Sequence, residues 1–415
     1  MNNILSNLRT VIFIFGSIVM NCCTTIKKSN IQKSEDNVQV TKYLFSSEYL
    51  VSNNNENKIH LGGYSGLHFK GINPINKSFQ FITHTDRGPN LEAIEKNGKF
   101  YRPFLDSNFQ PMIVEFEVSS PEEGSPKIEL KATYSLFGKS NNKLTGLPRS
   151  SKIDEIPIDQ NNRKLMYDKN GLDLESLAFL PNNTFWMGDE YGPSLVHFDS
   201  KFKEIERLNP SLIYDKSGVG LPNYYSERKM NRGFEGIAIC ENKLYAFLQS
   251  PLPNESTLGV MRILELDLKS QRVTGEYLYQ LENKLVDKLG DAACIRSGEF
   301  LIIEQNSKVG KSSSHKLFKI DIKTATNLLS FKNKNVQNDK KIDSLLSDSN
   351  FELASHTEWL NLVDIGIDDI EKIEGLAILN QNTVAIIEDN DFGVTVNSKK
   401  NQSQFIIIKN FKRDL

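Results

Sequence analysis

Four acidic residues, Glu175, Glu235, Asp291 and Glu374, each open a short apolar run. These are Glu175-Ser176-Leu177-Ala178-Phe179, Glu235-Gly236-Ile237-Ala238-Ile239, Asp291-Ala292-Ala293-Cys294-Ile295 and Glu374-Gly375-Leu376-Ala377-Ile378. A polar turn and a second apolar run follow each, and three of the second runs end in carboxylates or amides: Asp189-Glu190-Tyr191, Glu304-Gln305-Asn306 and Glu388-Asp389-Asn390. Carboxylates gathered at one place repel unless a cation, protons or basic groups intervene. A hard oxygen-binding cation such as Ca²⁺, which accepts six to eight oxygens, fits such a set. The expected metal ligands are Glu175, Glu235, Asp291, Glu374, Glu388 and Asp389. In the competing structural reading each acid accepts backbone N–H bonds from the neighbouring turn and only fixes packing.

The ends of the second runs supply a reactive set. Asp189 and Glu190, with Asp86 and Arg87 of an upstream copy ending in Asp86-Arg87-Gly88-Pro89-Asn90, are the expected catalytic residues. Asp86 and Arg87 together offer a cation ligand and a planar guanidinium for a phosphate; alternatively they form a turn with a weak surface ion pair. Arg232, Tyr191 and Asn90 are the expected substrate-binding residues. Arg228 and Arg232 lead directly into Glu235, where neutralising a carboxylate competes with receiving an anion.

The elements that must position these groups are β-hairpins. Copies start at 65, 175, 235, 291 and 374, with clean spacings of 60 and 56 residues and the others stretched. Alternating third strands follow, as in Met112–Val118, Leu195–Asp199, Arg262–Leu268 and Lys316–Ile322. A repeat of this length built only of strands points to propeller blades lengthened by insertions. The fold class is therefore all-β, a β-propeller of four-stranded antiparallel blades. Five blades are readable, and the stretched intervals leave room for a sixth. Lys42-Tyr43-Leu44-Phe45 is placed to complete the last blade beside Gln404–Ile408, closing the ring with both chain ends.

The series DLESLAFLPNNTFWMGDEYGPSLVHFD, NRGFEGIAI, LYAFLQSPL, FLIIEQN and IEGLAILNQNTVAIIEDNDFG resembles the proteins grouped as phytase-like, "esterase-like activity of phytase", over roughly residues 60 to 410. The resemblance implies a propeller and, by the family's name, a hydrolase acting on a phosphate ester. In that scheme the acidic rim holds Ca²⁺ and Arg87 stabilises developing charge. A non-catalytic propeller that binds a ligand or protein around a structural Ca²⁺ is the alternative, because fold does not decide function.

Upstream, Arg9, the apolar run Val11–Met20 and Cys22-Cys23 fit a lipoprotein-type signal over residues 1–23, lipidated at Cys22 or Cys23. Residues 24–40 are polar and read as a tether, and 41–415 as one folded domain. The expected setting is an exported cell-envelope lipoprotein, a monomer that meets membrane only through its lipid anchor. Lys plus Arg at 50 against Asp plus Glu at 52 gives no basic stripe for nucleic acid. The sequence has no G-x-S-x-G elbow, no H-E-x-x-H and no phosphate-binding G-x-x-x-x-G-K-[ST] loop. Cys240 and Cys294, at offsets of five and three from their repeat starts, are expected on like faces of adjacent blades, as two buried free thiols.

Overall fold

The computed structural model describes residues 33–34, 37–46, 50–54, 57–120, 125–150, 154–214, 219–255, 258–282, 286, 288–331, 342–394, 402–411 and 414–415. The signal segment and Cys22-Cys23 lie outside them.

Five antiparallel sheets account for the repeats. Blade 1 comprises Tyr64–Ile72, Phe79–Thr85, Met112–Val118 and Ile128–Ser135, and blade 2 comprises Leu174–Phe179, Phe185–Asp189, Ser194–Phe198 and Glu204–Leu208. Blade 3 is built from Phe234–Cys240, Lys243–Leu248, Val260–Asp267 and Arg272–Gln280, and blade 4 from Lys288–Arg296, Glu299–Gln305, His315–Asp321 and Ser355–Asn361. Blade 5 holds Ile373–Asn380, Thr383–Glu388 and Gln404–Asn410, with Val38–Leu44 and Lys33–Ser34 added outside. In each blade the first strand is innermost, and the five first strands pack side by side in a ring, blade 5 returning to blade 1. Among the described residues the chain thus forms a five-bladed propeller, and the stretched intervals show insertions there, not a sixth blade.

Burial explains the sequence texture. The second strand of each blade is covered on both faces, so Phe185–Asp189 and Glu299–Gln305 are buried throughout. The outermost Ile128–Ser135 is half-covered and alternates. One apolar cluster fills each interface. Phe185 and Ile113 lie between blades 1 and 2, Trp186 and Leu264 between 2 and 3, and Phe247 and Phe300 between 3 and 4. Ile303 and Ile386 lie between 4 and 5, and Phe81 and Phe405 between 5 and 1.

The ring is closed by Val38–Leu44, which pairs antiparallel with Gln404–Asn410 from Val38↔Asn410 to Leu44↔Gln404. The folded part therefore begins before the expected boundary at 41. Val38–Val40 belong to the strand and Lys33–Ser34 pair with it. Low apolar content does not forbid this, because an outermost strand is held mainly by ladder hydrogen bonds and buries only one face.

The expectation of two free thiols is also overturned: Cys240 and Cys294 form a disulfide with Cα atoms 5.8 Å apart. The error is one of register. Leu289 pairs with Glu304 and Ala292 with Ile302, which aligns Gly290, not Asp291, with Glu235 of blade 3. Counted from Gly290, Cys294 is at an even offset and Cys240 at an odd one from Glu235. They therefore occupy opposite faces of their own blades and meet across the interface.

Candidate active site

The inner strands start with a repeated bulge. In blade 2 Leu174 pairs with Asp189 and Ser176 with Gly188, so Glu175 is left out of the ladder. Glu235 and Glu374 are displaced in the same way in blades 3 and 5. A bulged residue is re-aimed, and here the three side chains turn to the axis, where Glu175, Glu235 and Glu374 bring carboxylate oxygens within 4.8 Å of one another. The equivalent residue of blade 1 is Ser65, whose hydroxyl donates to Glu175 Oε2 at 3.0 Å. Blade 4 has Gly290 instead, and a Cβ there would lie 2.4 Å from the Ile373 carbonyl oxygen. Blade 4 therefore has no room for an acid in this ring.

Asp291 is accordingly not a member of the cluster. It accepts the Ala292 N–H at 2.7 Å and, across the interface, the Leu376 N–H at 2.9 Å. That is the structural role weighed for all four acids, realised in one.

Two residues before the ring comes a second tier, and it carries the residues that the sequence reading missed: Asp173, Lys288 and Lys372, with Gly63 and Gly233 in blades 1 and 3. Each triplet Asp173-Leu174-Glu175, Lys288-Leu289-Gly290 and Lys372-Ile373-Glu374 has an apolar residue in the middle, so its outer members share a face. This alternation was visible in the sequence. Lys288 Nζ lies 3.4 Å from Glu374 Oε1, and Lys372 Nζ lies 3.1 Å from Asp389 and 2.5 Å from Asp391.

The strand-two ends complete the site unevenly. Glu190, 1% exposed, joins Asp173 and Glu175 in a second triad within the same 4.8 Å limit. Among the described residues neither of its oxygens has a hydrogen-bond partner, nor has either oxygen of Glu235 or Oδ1 of Asp173. Asp189 is saturated: it accepts from Arg149 at 2.5 Å, the Ser194 hydroxyl at 2.6 Å and the Asp173 N–H at 2.8 Å. Arg87 donates to Asp173 at 2.9 Å and to Asn231 at 2.5 Å, and lies 3.5 Å from Glu155. Asp86 accepts the Gly88 N–H, Asn90 donates to the Gly88 carbonyl, and buried Tyr191 donates to the Gly146 carbonyl at 3.0 Å. Glu388 accepts the Gln404 N–H at 2.9 Å, and the Asp389 carboxylate accepts the Asp391 N–H at 2.7 Å besides its Lys372 contact. Arg228 is spent on Asp154 at 2.8 Å, whereas Arg232, half-buried, donates to the Asn231 carbonyl. The set expected from sequence thus divides: Glu175, Glu235, Glu374 and Glu190 come together with Asp173, and the other acids are engaged by backbone or cations.

Burial dominates the electrostatics. It pushes Glu175 and Glu235 well above the usual carboxylate range, and repulsion from neighbouring acids adds to it. Asp173 is pushed up to about 7 by burial, with Arg87 opposing and Glu190 and Asp189 reinforcing. Bare, such a cluster holds protons. The donor set is entirely hard carboxylate oxygen, and two oxygens each ~2.4 Å from one ion stand at most ~4.8 Å apart, a limit that both triads meet for a Ca²⁺-sized cation. At the far end of the inner strands a separate cleft of about 610 Å³ lies between blades 1 and 2, lined by His68, Lys70, Glu115 and Phe179. Its Lys70 and Glu115 pair at 3.1 Å, leaving no comparable excess of charge.

A family model described as phytase-like, "esterase-like activity of phytase", matches residues 59–392. An uncharacterized secreted protein of Arthroderma benhamiae is 24% identical over 184 residues, which cover 35% of this chain and 36% of that protein. Among solved structures, a luciferin-regenerating enzyme aligns at 10% identity over 85% of this chain and 94% of its own, with a TM-score of 0.35. A putative oxidoreductase (glucose dehydrogenase) from Thermus thermophilus aligns at 8% identity over 90% of this chain and 100% of its own, with a TM-score of 0.36.

Proposed function

The chain belongs to the phytase-like family, and on that premise we propose that it is an exported hydrolase that cleaves a phosphate ester with the help of a divalent cation held by Glu175, Glu235 and Glu374. The observation that carries the proposal is the fully buried Glu235 carboxylate, neither oxygen of which meets hydrogen-bond geometry with a partner among the described residues, beside two further carboxylates. Burying such groups with no partner is costly, and a hard cation removes the cost.

When bound, the cation would supply Lewis-acid polarisation of a phosphoryl oxygen and a more acidic water. The remaining work falls to the chain's own residues. Arg87 neutralises Asp173 and fixes its orientation. Arg232, half-buried and three residues before Glu235, is the guanidinium assigned to receive an anionic substrate. Ser65 holds Glu175 in place. Lys288 neutralises Glu374, which limits the negative charge that a phosphate must approach.

Export is supported by the disulfide, a bond that persists in oxidising compartments, and by the secreted relative. Among the described residues no helix is long and apolar enough to cross a membrane. A lipid anchor at Cys22 or Cys23 completes the proposed cell-envelope setting. Ca²⁺ is the proposed ion. The depth of the acids, 0 to 8% exposed, favours a second reading in which the ion is structural and the propeller binds a ligand without turning it over.

Phosphate release from a panel of phosphomonoesters, phytate included, separates the two. The hydrolase reading expects release with Ca²⁺, none with chelator, and at least a hundredfold loss in Glu175→Gln and in Glu235→Gln. Absence of release from every ester, together with a chelator-induced drop in melting temperature, would leave the binding propeller.

A further inference from the structure

Resting on the cation reading above, we infer that the site holds two cations, the second bound by Asp173, Glu175 and Glu190, with the Glu175 carboxylate shared between them. Two separate triads pass the same geometric limit, and Glu175 alone belongs to both. A carboxylate has two oxygens and can serve two ions, as metal-bridging carboxylates do.

The second position does not rest on clustering alone. Glu190 is 1% exposed, and neither of its oxygens has a hydrogen-bond partner among the described residues. Asp173 has one oxygen on Arg87 at 2.9 Å and leaves the other, Oδ1, unbonded and buried. The backbone fixes where these groups point. The Glu190 N–H donates to the Asp173 carbonyl at 2.8 Å and the Asp173 N–H to Asp189 Oδ1 at 2.8 Å, so strand end and strand start are locked together while the Glu190 carboxylate and Asp173 Oδ1 stay open. Asp189 is consumed in this framing, which explains why, of two adjacent acids, only Glu190 is left open.

Charge balance favours two ions over one. The combined cluster has five carboxylates, Asp173, Glu175, Glu190, Glu235 and Glu374, and two cationic contacts, Arg87 and Lys288. Ionised, it has an excess of three negative charges. One divalent ion leaves a net negative site that repels a phosphate dianion; two leave it net positive and receptive. The positions matching Glu190 are Gln249 in blade 3 and Gln305 in blade 4, whereas blades 1 and 5 have Asp86 and Asp389 there. Asp389 faces Lys372 at 3.1 Å and Asp86 accepts the Gly88 N–H at 2.8 Å, so Glu190 is the acid at this position with no hydrogen-bond partner for either oxygen among the described residues.

The test is calorimetric titration of the chelator-stripped protein with Ca²⁺ alone at pH 8. Two ions per chain are expected in the wild type, one in Glu190→Gln and one in Glu235→Gln. Glu175→Gln should weaken both by tenfold or more. Glu→Gln keeps the side-chain shape and removes a buried charge, and an unchanged circular dichroism spectrum confirms that each variant is folded. One ion in the wild type with Glu190→Gln unaltered would overturn the second position and leave the first intact. No binding at all would overturn both. A fourth variant, Asp189→Asn, checks the framing role: it should lower melting temperature without changing the number of ions that a folded sample takes up, and loss of a single ion there would place Asp189 among the ligands and overturn the assignment of Glu190 as the open acid.

Discussion

At the scale of single residues, the molecule separates acids that look alike in sequence. Glu175, Glu235 and Glu374 are bulged toward the axis, Asp291 is turned onto backbone N–H groups, and Asp189 is tied to Arg149 and Ser194. The first three were legible because each opens a similar apolar run. Asp291 misled because it follows the glycine that occupies the matching position. Asp173 and Lys288 were legible two residues upstream, had alternation been followed past the start of each run. The perturbed carboxyls give a pH dependence opposite to that of ordinary surface acids. Their folded pKa values are raised, so the folded state binds more protons than the unfolded chain. The stability they contribute is present below the unfolded value of about 4 and is lost as pH rises through the folded values, from about 7 for Asp173 upward. Chelator-stripped protein should therefore melt lower at pH 8 than at pH 5.5. Ca²⁺ should recover the loss at pH 8, where ~100 Kd of free ion adds about 2.7 kcal/mol per site, and do little at pH 5.5, where protons compete. Equal melting at the two pH values without cation would contradict the assignment.

At the scale of elements, the hairpins were legible from period and turn chemistry, since an inner strand covered on both faces must be short, apolar and bounded by polar turns. Blade 4 was the exception. Its repeat begins at Gly290, one residue before the acid that resembles the other starts, and the resulting parity decides which cysteine faces which blade. The resulting Cys240–Cys294 bond ties the inner strands of blades 3 and 4 across 54 residues of chain. The chain-entropy estimate for such a loop is about 4 kcal/mol, which for a domain of this size corresponds to roughly 5 °C in melting temperature. Cys240→Ala with Cys294→Ala should show that drop, with cation binding retained because neither residue touches the cluster. Free thiols mapped by alkylation to Cys240 and Cys294 in the unreduced, denatured wild type would refute the disulfide.

At the scale of the whole molecule, five blades meet at one axis, and the ring is locked by Val38–Leu44 lying beside Gln404–Asn410. Both chain ends are thereby committed to one sheet, and among the described residues seven apolar clusters carry the packing. The closure was legible from the β-rich segment near Tyr43; its extension to Val38 and Lys33 was not, because backbone pairing at a sheet edge leaves little trace in composition. The most direct measurement is phosphomonoester turnover by chelator-stripped protein at 25 °C, with circular dichroism recorded on the same sample before and after Ca²⁺ is restored. The account predicts an unchanged folded spectrum throughout, no phosphate release without the ion and full release on its return. Release that persists in the stripped, folded protein would contradict a cation-dependent site at the propeller axis.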